Sequence, residues 1–517
     1  MEPLVLAIDQ GTGSTKALLV DAAGQVVARA SAPLSQSHPA PGLAEQDAEE
    51  LLGSVRDAVA ACLRQADPRT VRGIGLSTQR ESVVLWDAAT GRPLAPLVGW
   101  QDRRGADRAA QLLDEGYGDL VRRRTGLPLD PMFSALKMGA LLDRHDPARE
   151  RGRRGELRLG TVDAWLLDAL TGEFVTEVGN ASRTQLLNLA TGDWDDELLE
   201  IFGVPRAALG RVVASTGPFG TVRDLDPLPA GVPVLAVLGD SHAALFAHAG
   251  WRPGVVKVTY GTGSSVMTVA ESPGSTGGPG GLDDPGSTGS TGGPGGLGGL
   301  GDPRSPVCDT IAWSTGQPTF AREANIRSTG RTLTWLAELL GISADQVVDL
   351  AAESDAGDVT LVPAFGGLGA PWWDPRAVPV LAGFDLGTGR EQLARAALES
   401  VAHQVDDVLT AMPGLRRIVA DGGLTRSTAL MRLQAGLSDV EVARTRHHEL
   451  SAGGAADLAG LGLGLWTTAD LERRADGDVE IFTPDWSAEH RRAAAARWHQ
   501  RLTVARDLGA RANGSTS

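Results

Sequence analysis

One pattern restricts this chain more than any other: a Gly-Thr-Gly turn set between apolar strands, found twice. Residues 9–20 read DQGTGSTKALLV and residues 259–269 read TYGTGSSVMTV. Leu4 to Ile8 leads into the first turn and Val255 to Thr259 into the second, and each turn opens into another apolar run. Short apolar runs closed by glycine-rich turns are buried strands. Two such strand-turn-strand units imply two related halves.

Chain length agrees. The 517 residues exceed the roughly 250–300 that one hydrophobic core can serve. Two large domains are expected, over 1–250 and 251–466, followed by a helical tail over 467–517. Strands and helices alternate throughout, which says α/β. Ala17 to Val20 and Gln25 to Ala28 flank a turn at Asp21–Gly24 and read as a hairpin. Apolar spacing predicts helices over 47–65 and 391–411. Residues 195–202 form a third, with Asp195 as N-cap and Gly203 as stop. Residues 271–306 hold 14 Gly and 6 Pro in 36 positions, with GSTGGPGGL repeated at 274–282 and 289–297. Such a stretch cannot bury a core and is expected to be a disordered insert between two strands.

Composition excludes some functions. Net charge is -16, and no basic patch offers itself to nucleic acid. Cys62 and Cys308 form neither a metal spacing nor a disulfide framework, which fits a reducing cytoplasm. Acidic Glu2 and Asp9 do not suit a signal peptide. No apolar stretch reaches membrane-spanning length. A homo-oligomer is left open.

The turns point to phosphate. Glycine lets backbone approach a ligand closely, and successive N–H groups form an anion nest. Thr12, Gly13, Ser14, Thr262, Gly263 and Ser264 supply such groups, and Lys16 adds a point charge. Taken singly, each turn could be a plain hairpin. Asp9, beside the first turn, is a candidate to hold Mg²⁺ through water. Further polar clusters follow strands: Ser77-Thr78-Gln79-Arg80-Glu81, Asp240, and Asp421-Gly422-Gly423. Ligands of open α/β sheets bind beyond the carboxyl ends of strands. Asp240 can serve as a general base or simply as the N-cap of the next helix. Arg80 and Glu81 can grip vicinal hydroxyls or form a surface ion pair. Trp100 can cover a polyol's carbon face or belong to the core. His242 and His248 have no metal-ligand company and read as structural or as substrate contacts.

These stretches resemble the FGGY carbohydrate kinases, most closely the glycerol kinase branch. The likeness runs through STQRESVVLWD (77–87), GWQDRR (99–104), TGLPLDPMFSALK (125–137), NASRTQLLN (180–188), GDSHAALF (239–246), PAFGGLGAPWWDP (363–375) and DGGLTRS (421–427). It implies two ribonuclease-H-like (actin-like ATPase) domains with a cleft between them, and transfer of the ATP γ-phosphate to a small polyol or sugar. Asp9 would assist Mg²⁺. Thr12, Gly13, Ser14, Lys16, Thr262, Gly263, Gly330, Gly422, Gly423 and Ser427 would bind the nucleotide. Arg80, Glu81, Trp100, Met132, Asp240 and Ser241 would form the acceptor site, with Asp240 as base.

Four positions depart from the glycerol kinase pattern. Met132 stands where Tyr is usual, Ser241-His242 where Gln-Gln is usual, Lys16 for Arg and Ser427 for Asn. The first two touch the acceptor pocket, so a larger polyol or a ketose competes with glycerol. From other classes, an actin-like ATPase or a sugar sensor without transfer would also use two Gly-Thr turns.

Overall fold

The computed structural model describes residues 2–270, 300–412, 414–447, 449–477 and 479–514. Most of the insert expected at 271–306 lies outside the described residues. Residues 300–306 are described, as turns: the Gly301 N–H donates to Asp309 Oδ2 at 2.7 Å and Arg122 Nη2 to the Ser305 carbonyl at 2.8 Å.

The chain divides into two units, neither continuous in sequence. Unit 1 comprises 1–249, 270–321 and 449–475; unit 2 comprises 250–269, 322–448 and 476–517. Unit 1 is built on β1 (Leu4–Gln10), β2 (Ser14–Val20), β3 (Val26–Pro33), β4 (Val71–Thr78) and β5 (Val234–Gly239), in spatial order β5-β4-β1-β2-β3. β1 is antiparallel to β2 and parallel to β4, and β4 is parallel to β5. β1 is buried along its whole length, which explains its unbroken apolar run. Leu4, Leu6 and Ile8 join a core with Leu51, Val55 and Val59 of the helix Ala48–Leu63. Asp47 caps that helix through the Glu49 and Glu50 N–H groups.

On β4, Gly75 turns to the helix Leu450–Gly462. This helix, LSAGGAADLAGLG, sits unusually close. A Cβ on Gly75 would lie 2.1 Å from the Ala455 carbonyl oxygen, and one on Gly454 1.8 Å from that of Ala243. Small residues are a condition of the packing, since side chains there would force the layers apart.

Unit 2 repeats the plan. Its strands are β6 (Val255–Tyr260), β7 (Ser264–Val269), β8 (Pro318–Ile326, entering the unit at Arg322), β9 (Arg417–Asp421), β10 (Glu441–Thr445) and β11 (Val479–Phe482). Their order is β8-β7-β6-β9-β10-β11. β6 is antiparallel to β7 and parallel to β9, and β9 is parallel to β10. The first five strands match unit 1 one for one. Both units are ribonuclease-H-like. The predicted helix over 391–411 is Arg390–Leu409, and that over 195–202 is Asp196–Phe202 with Asp195 capping and Gly203 left-handed at φ 65°. The tail holds helices Thr468–Gly477 and Ala488–Gly514 with β11 between them, formed by the β-prone run Val479-Glu480-Ile481-Phe482. No helix among the described residues is long and apolar enough to cross a membrane.

Gly75→Ala and Gly454→Ala are each expected to cost about 3 kcal/mol through overpacking, read as a lower denaturant midpoint at constant slope. An unchanged midpoint would mean that the Leu450–Gly462 helix can back away freely.

Candidate active site

In unit 1, strand register builds the site. Asp9 pairs with Ser77 and Gln10 with Thr78 across β1 and β4; Leu238 pairs with Ser77 and Gly239 with Thr78 across β4 and β5. Three parallel strands therefore end level. The residues that follow, Gly11–Gly13, Gln79–Glu81 and Asp240, emerge along one edge.

Asp9 is buried, and the Ser77 hydroxyl donates to its Oδ1 at 2.9 Å. Burial, and then the Asp240 carboxylate, push its pKa up to about 7, against the pull of Ser77 and Lys16. Lys16 lies opposite Asp9 in the β1–β2 ladder, with Nζ 2.7 Å from Glu449 Oε2. A desolvated carboxylate beside a second one is a setting that a hard divalent cation relieves. Among the described residues no three or more His, Cys, Asp or Glu side chains gather to hold a metal. The fit is therefore to an ion such as Mg²⁺ that keeps most of its water.

The first turn is tied to Trp100 and Gln46. Trp100 Nε1 donates to Thr12 Oγ1 at 3.1 Å, and Gln46 Nε2 to the Thr12 carbonyl at 2.8 Å. Within the turn, the Gly11 N–H donates to the Ser14 carbonyl at 3.0 Å. Trp100 is 39% exposed, so it is not a core residue. Its own N–H donates to Ser82 Oγ, which donates to Gln79 Oε1.

Arg80 and Glu81 are both buried, and each takes a different partner instead of the other. Arg80 Nη1 donates to His242 Nε2 at 3.3 Å, and its Nε lies 3.4 Å from Asp240 Oδ1. Because a guanidinium only donates, His242 Nε2 must accept, which puts that ring's proton on Nδ1. Glu81 sits at the centre of a left-handed γ-turn: its φ is 60°, and the Ser82 N–H donates to the Arg80 carbonyl at 2.7 Å. Arg183 Nε donates to Glu81 Oε1 at 2.5 Å. The Glu81 carbonyl accepts from Ser134 Oγ at 3.0 Å and Lys137 Nζ at 3.1 Å. Lys137 also donates to the carbonyl of half-buried Met132. Burial pulls the Lys137 pKa down to about 7, against the attraction of Glu81, Asp102 and Asp130.

Asp240 opens the helix Asp240–Ala247, and Gly239 holds the cap position without a side-chain cap. The Asp240 carboxylate accepts from the Ser241 N–H at 2.6 Å, and Ser451 Oγ donates to its carbonyl at 3.1 Å. Gly239 has to be glycine, because a Cβ there would lie 2.5 Å from Arg80 Cδ. That Cβ would also come within 3.4 Å of Asn180 Oδ1. Asn180 belongs to a buried network beneath the site. Glu177 accepts there from the Gly179 and Asn180 N–H groups, Asn180 Nδ2 and Ser215 Oγ.

In unit 2 the corresponding edge is backbone. Thr259 pairs with Asp421, so β6 and β9 also end level. The Gly330 N–H donates to the Gly261 carbonyl and the Arg331 N–H to that of Thr262, each at 3.0 Å. A Cβ on Gly330 would stand 2.6 Å from the Gly261 oxygen, and one on Gly422 (φ 94°) 2.5 Å from the Tyr260 oxygen. Thr262, Gly263, Gly330 and Gly422 thus share one end of the sheet, and Gly423 adds an open backbone position. Ser427 is the N-cap of the helix Thr428–Ser438, its hydroxyl accepting from the Leu430 N–H.

Sequence reasoning gave no role to Lys137, Arg183 or Glu449, and singled out Ser77 and Gln79 only as part of the 77–81 cluster. Two of them carried a signal: Lys137 is one of only three lysines, and Arg183 lies in NASRTQLLN.

Comparison with known proteins adds the following. The model for the N-terminal domain of the FGGY family of carbohydrate kinases matches residues 4–247, and that for the C-terminal domain matches 256–463. An apulose kinase of Pectobacterium atrosepticum is 39% identical over 93% of this chain and 94% of its own length. A glycerol kinase of Bordetella parapertussis is 38% identical over 97% of each. Among solved structures, a Plasmodium falciparum glycerol kinase with ADP superposes with a TM-score of 0.86 at 23% identity, over 98% of both chains. A Rhodospirillum rubrum xylulose kinase does so at 0.81 and 26% identity, over 97% of this chain and 98% of that one.

Burial raises the Glu177 pKa from 4.5 to about 8, outweighing its hydrogen bonds. Between those values the folded chain holds a proton that the unfolded chain has lost, so Glu177 makes stability fall as pH rises through that window. Glu177→Gln is expected to flatten this fall, measured as melting temperature against pH. An unchanged slope would show that Glu177 is ionised in the fold throughout.

Proposed function

The chain belongs to the FGGY family of carbohydrate kinases, ATP-dependent phosphotransferases that act on hydroxyl groups, and we propose that its acceptor is a small polyol or sugar of three to five carbons with Asp240 as general base. The observation that carries this reading is the Asp240 carboxylate at a strand end, 3.4 Å from the Arg80 guanidinium. Arg80 lies beside Asp240 and orients it. Asp240 takes the proton of the acceptor hydroxyl as that oxygen attacks the γ-phosphorus. The bond to the β–γ bridging oxygen breaks and ADP leaves. Arg80 donates to one neighbouring hydroxyl of the acceptor and Glu81 accepts from another. Trp100 covers the carbon face, and Met132 and Ser241 border the pocket.

Thr12, Gly13, Ser14 and Lys16 serve the phosphates from unit 1. Thr262, Gly263, Gly330, Gly422, Gly423 and Ser427 serve the nucleotide from unit 2. Asp9 would hold Mg²⁺, which when bound neutralises charge on the phosphate oxygens. Cys62 and Cys308, buried and not disulfide-bonded, suit a cytoplasmic setting.

A ketose is the second reading for the acceptor. It is favoured by Met132 and Ser241-His242, and by a relative named apulose kinase at 39% identity. The test is coupled ADP release with ATP and Mg²⁺ over polyols and ketoses of three to six carbons. A peak at glycerol makes those residues neutral drift. A peak at a larger acceptor makes them the selectors. Release that ignores every acceptor would favour an ATPase or a sensor.

Asp240→Asn is expected to lower transfer about 10³-fold while nucleotide affinity stays near normal; lost ATP binding with intact transfer would refute the role. Met132→Tyr is expected to raise kcat/KM for glycerol about tenfold, by restoring a hydroxyl to the pocket. No change would locate the selectivity elsewhere.

A further inference from the structure

The acceptor reading leaves one strongly charged group unused. Arg183 is completely buried, and it is bound to a residue of the proposed acceptor pocket. Its Nε donates to Glu81 Oε1 at 2.5 Å, and its guanidinium lies over the Phe133 ring, 4.9 Å from the centroid. Phe133 immediately precedes the helix Ser134–His145. That helix contributes Ser134 and Lys137, the two donors to the Glu81 carbonyl.

Glu81 is thus held at both ends. Its backbone adopts φ 60°, which residues other than glycine seldom do. Ser134 and Lys137 fix the carbonyl, and Arg183 fixes one carboxylate oxygen. Among the described residues no donor reaches the other oxygen, Oε2. A carboxylate with one oxygen fixed by a buried guanidinium keeps its tilt, and can offer only the remaining oxygen to a ligand.

We propose that Arg183 is a positioning residue for the acceptor: by fixing Glu81 Oε1 it presents Oε2 to an acceptor hydroxyl, and so sets how tightly an acceptor is held. In this role Arg183 does not touch the acceptor and acts on it through Glu81. The proposal rests on the kinase reading above. Lysine would keep the charge at this position, but its single point donor cannot copy the planar fork that lies between Glu81 and Phe133.

The test is steady-state kinetics on the full chain with the best acceptor of the panel. Arg183→Lys is expected to raise the acceptor KM about tenfold or more, with kcat within about threefold and the ATP KM unchanged. Glu81→Gln raises the acceptor KM by itself. Adding Arg183→Lys to it should bring little further loss, because both act through one contact. An unchanged acceptor KM in Arg183→Lys would overturn the proposal. So would a parallel loss of ATP affinity, or effects of the two substitutions that add in full.

If Arg183→Lys does not fold, Arg183→Met combined with Glu81→Gln removes both charges together and is compared with Glu81→Gln alone. Equal acceptor KM supports the proposal, and a further tenfold rise sinks it. A wild-type chain inert toward every acceptor would overturn the kinase reading and this role with it. Normal wild-type turnover with an indifferent Arg183→Lys overturns only the role.

Discussion

The level ends of parallel strands are the constraint on which the rest depends. Hydrogen-bond register across β1, β4 and β5 puts Asp9, Ser77 and Gly239 at one edge. No loop has to find these positions, because the sheet supplies them. This alignment brings Asp240 close enough to Asp9 for its carboxylate to oppose the ionisation of Asp9. Ser77, Lys16 and Arg80 offset that repulsion from three directions. Unit 2 uses the same five-strand plan to a different end. Its edge carries glycines whose backbones nearly touch, where unit 1 carries charges. One scaffold therefore appears twice, once with Asp9, Arg80 and Asp240 along its edge and once with closely approaching glycines.

Beneath the charged edge lies a second layer that fixes it. Glu81 in the left-handed region stores about 1–3 kcal/mol of backbone strain. Hydrogen bonds to charged groups contribute about 1.5–3 kcal/mol each, so the bonds from Arg183 and Lys137 are enough to hold it. Arg80 is seated in the same manner, with His242 on one nitrogen and Asp240 beside another. Its aliphatic stem lies where any side chain at 239 would have to go. The residues that would meet a substrate are therefore braced from behind by buried groups.

Much of this was legible in the sequence, for local reasons. The two Gly-Thr-Gly turns, the hairpin at Asp21–Gly24 and the Asp195 cap are short-range features with distinctive residues. Polar clusters after apolar strands were likewise visible, because an α/β sheet puts such clusters at its carboxyl edge. Pairings across the chain were not visible. Nothing near Glu81 announces Arg183, and nothing near Lys16 announces Glu449. The Leu450–Gly462 helix shows no polar stripe by which its docking face could be read. Its place depends on Gly75, where it meets β4, and on Gly454, where it meets Ala243, glycines that look unremarkable until the layers are stacked. Asp240 was ambiguous for another reason: first-turn and cap positions differ by one residue, and only backbone geometry separates them.

The scarcity of lysine has a practical consequence. Lys137 and Lys257 are sealed inside the fold at 0% and 1% exposure, whereas the Lys16 side chain is 37% exposed. Lys16 is therefore the one lysine that amine-reactive chemistry can reach on the folded chain. A reagent of that kind is in effect a single-site label beside the first glycine turn, and its rate of attachment would report whatever occupies that turn without any engineered handle.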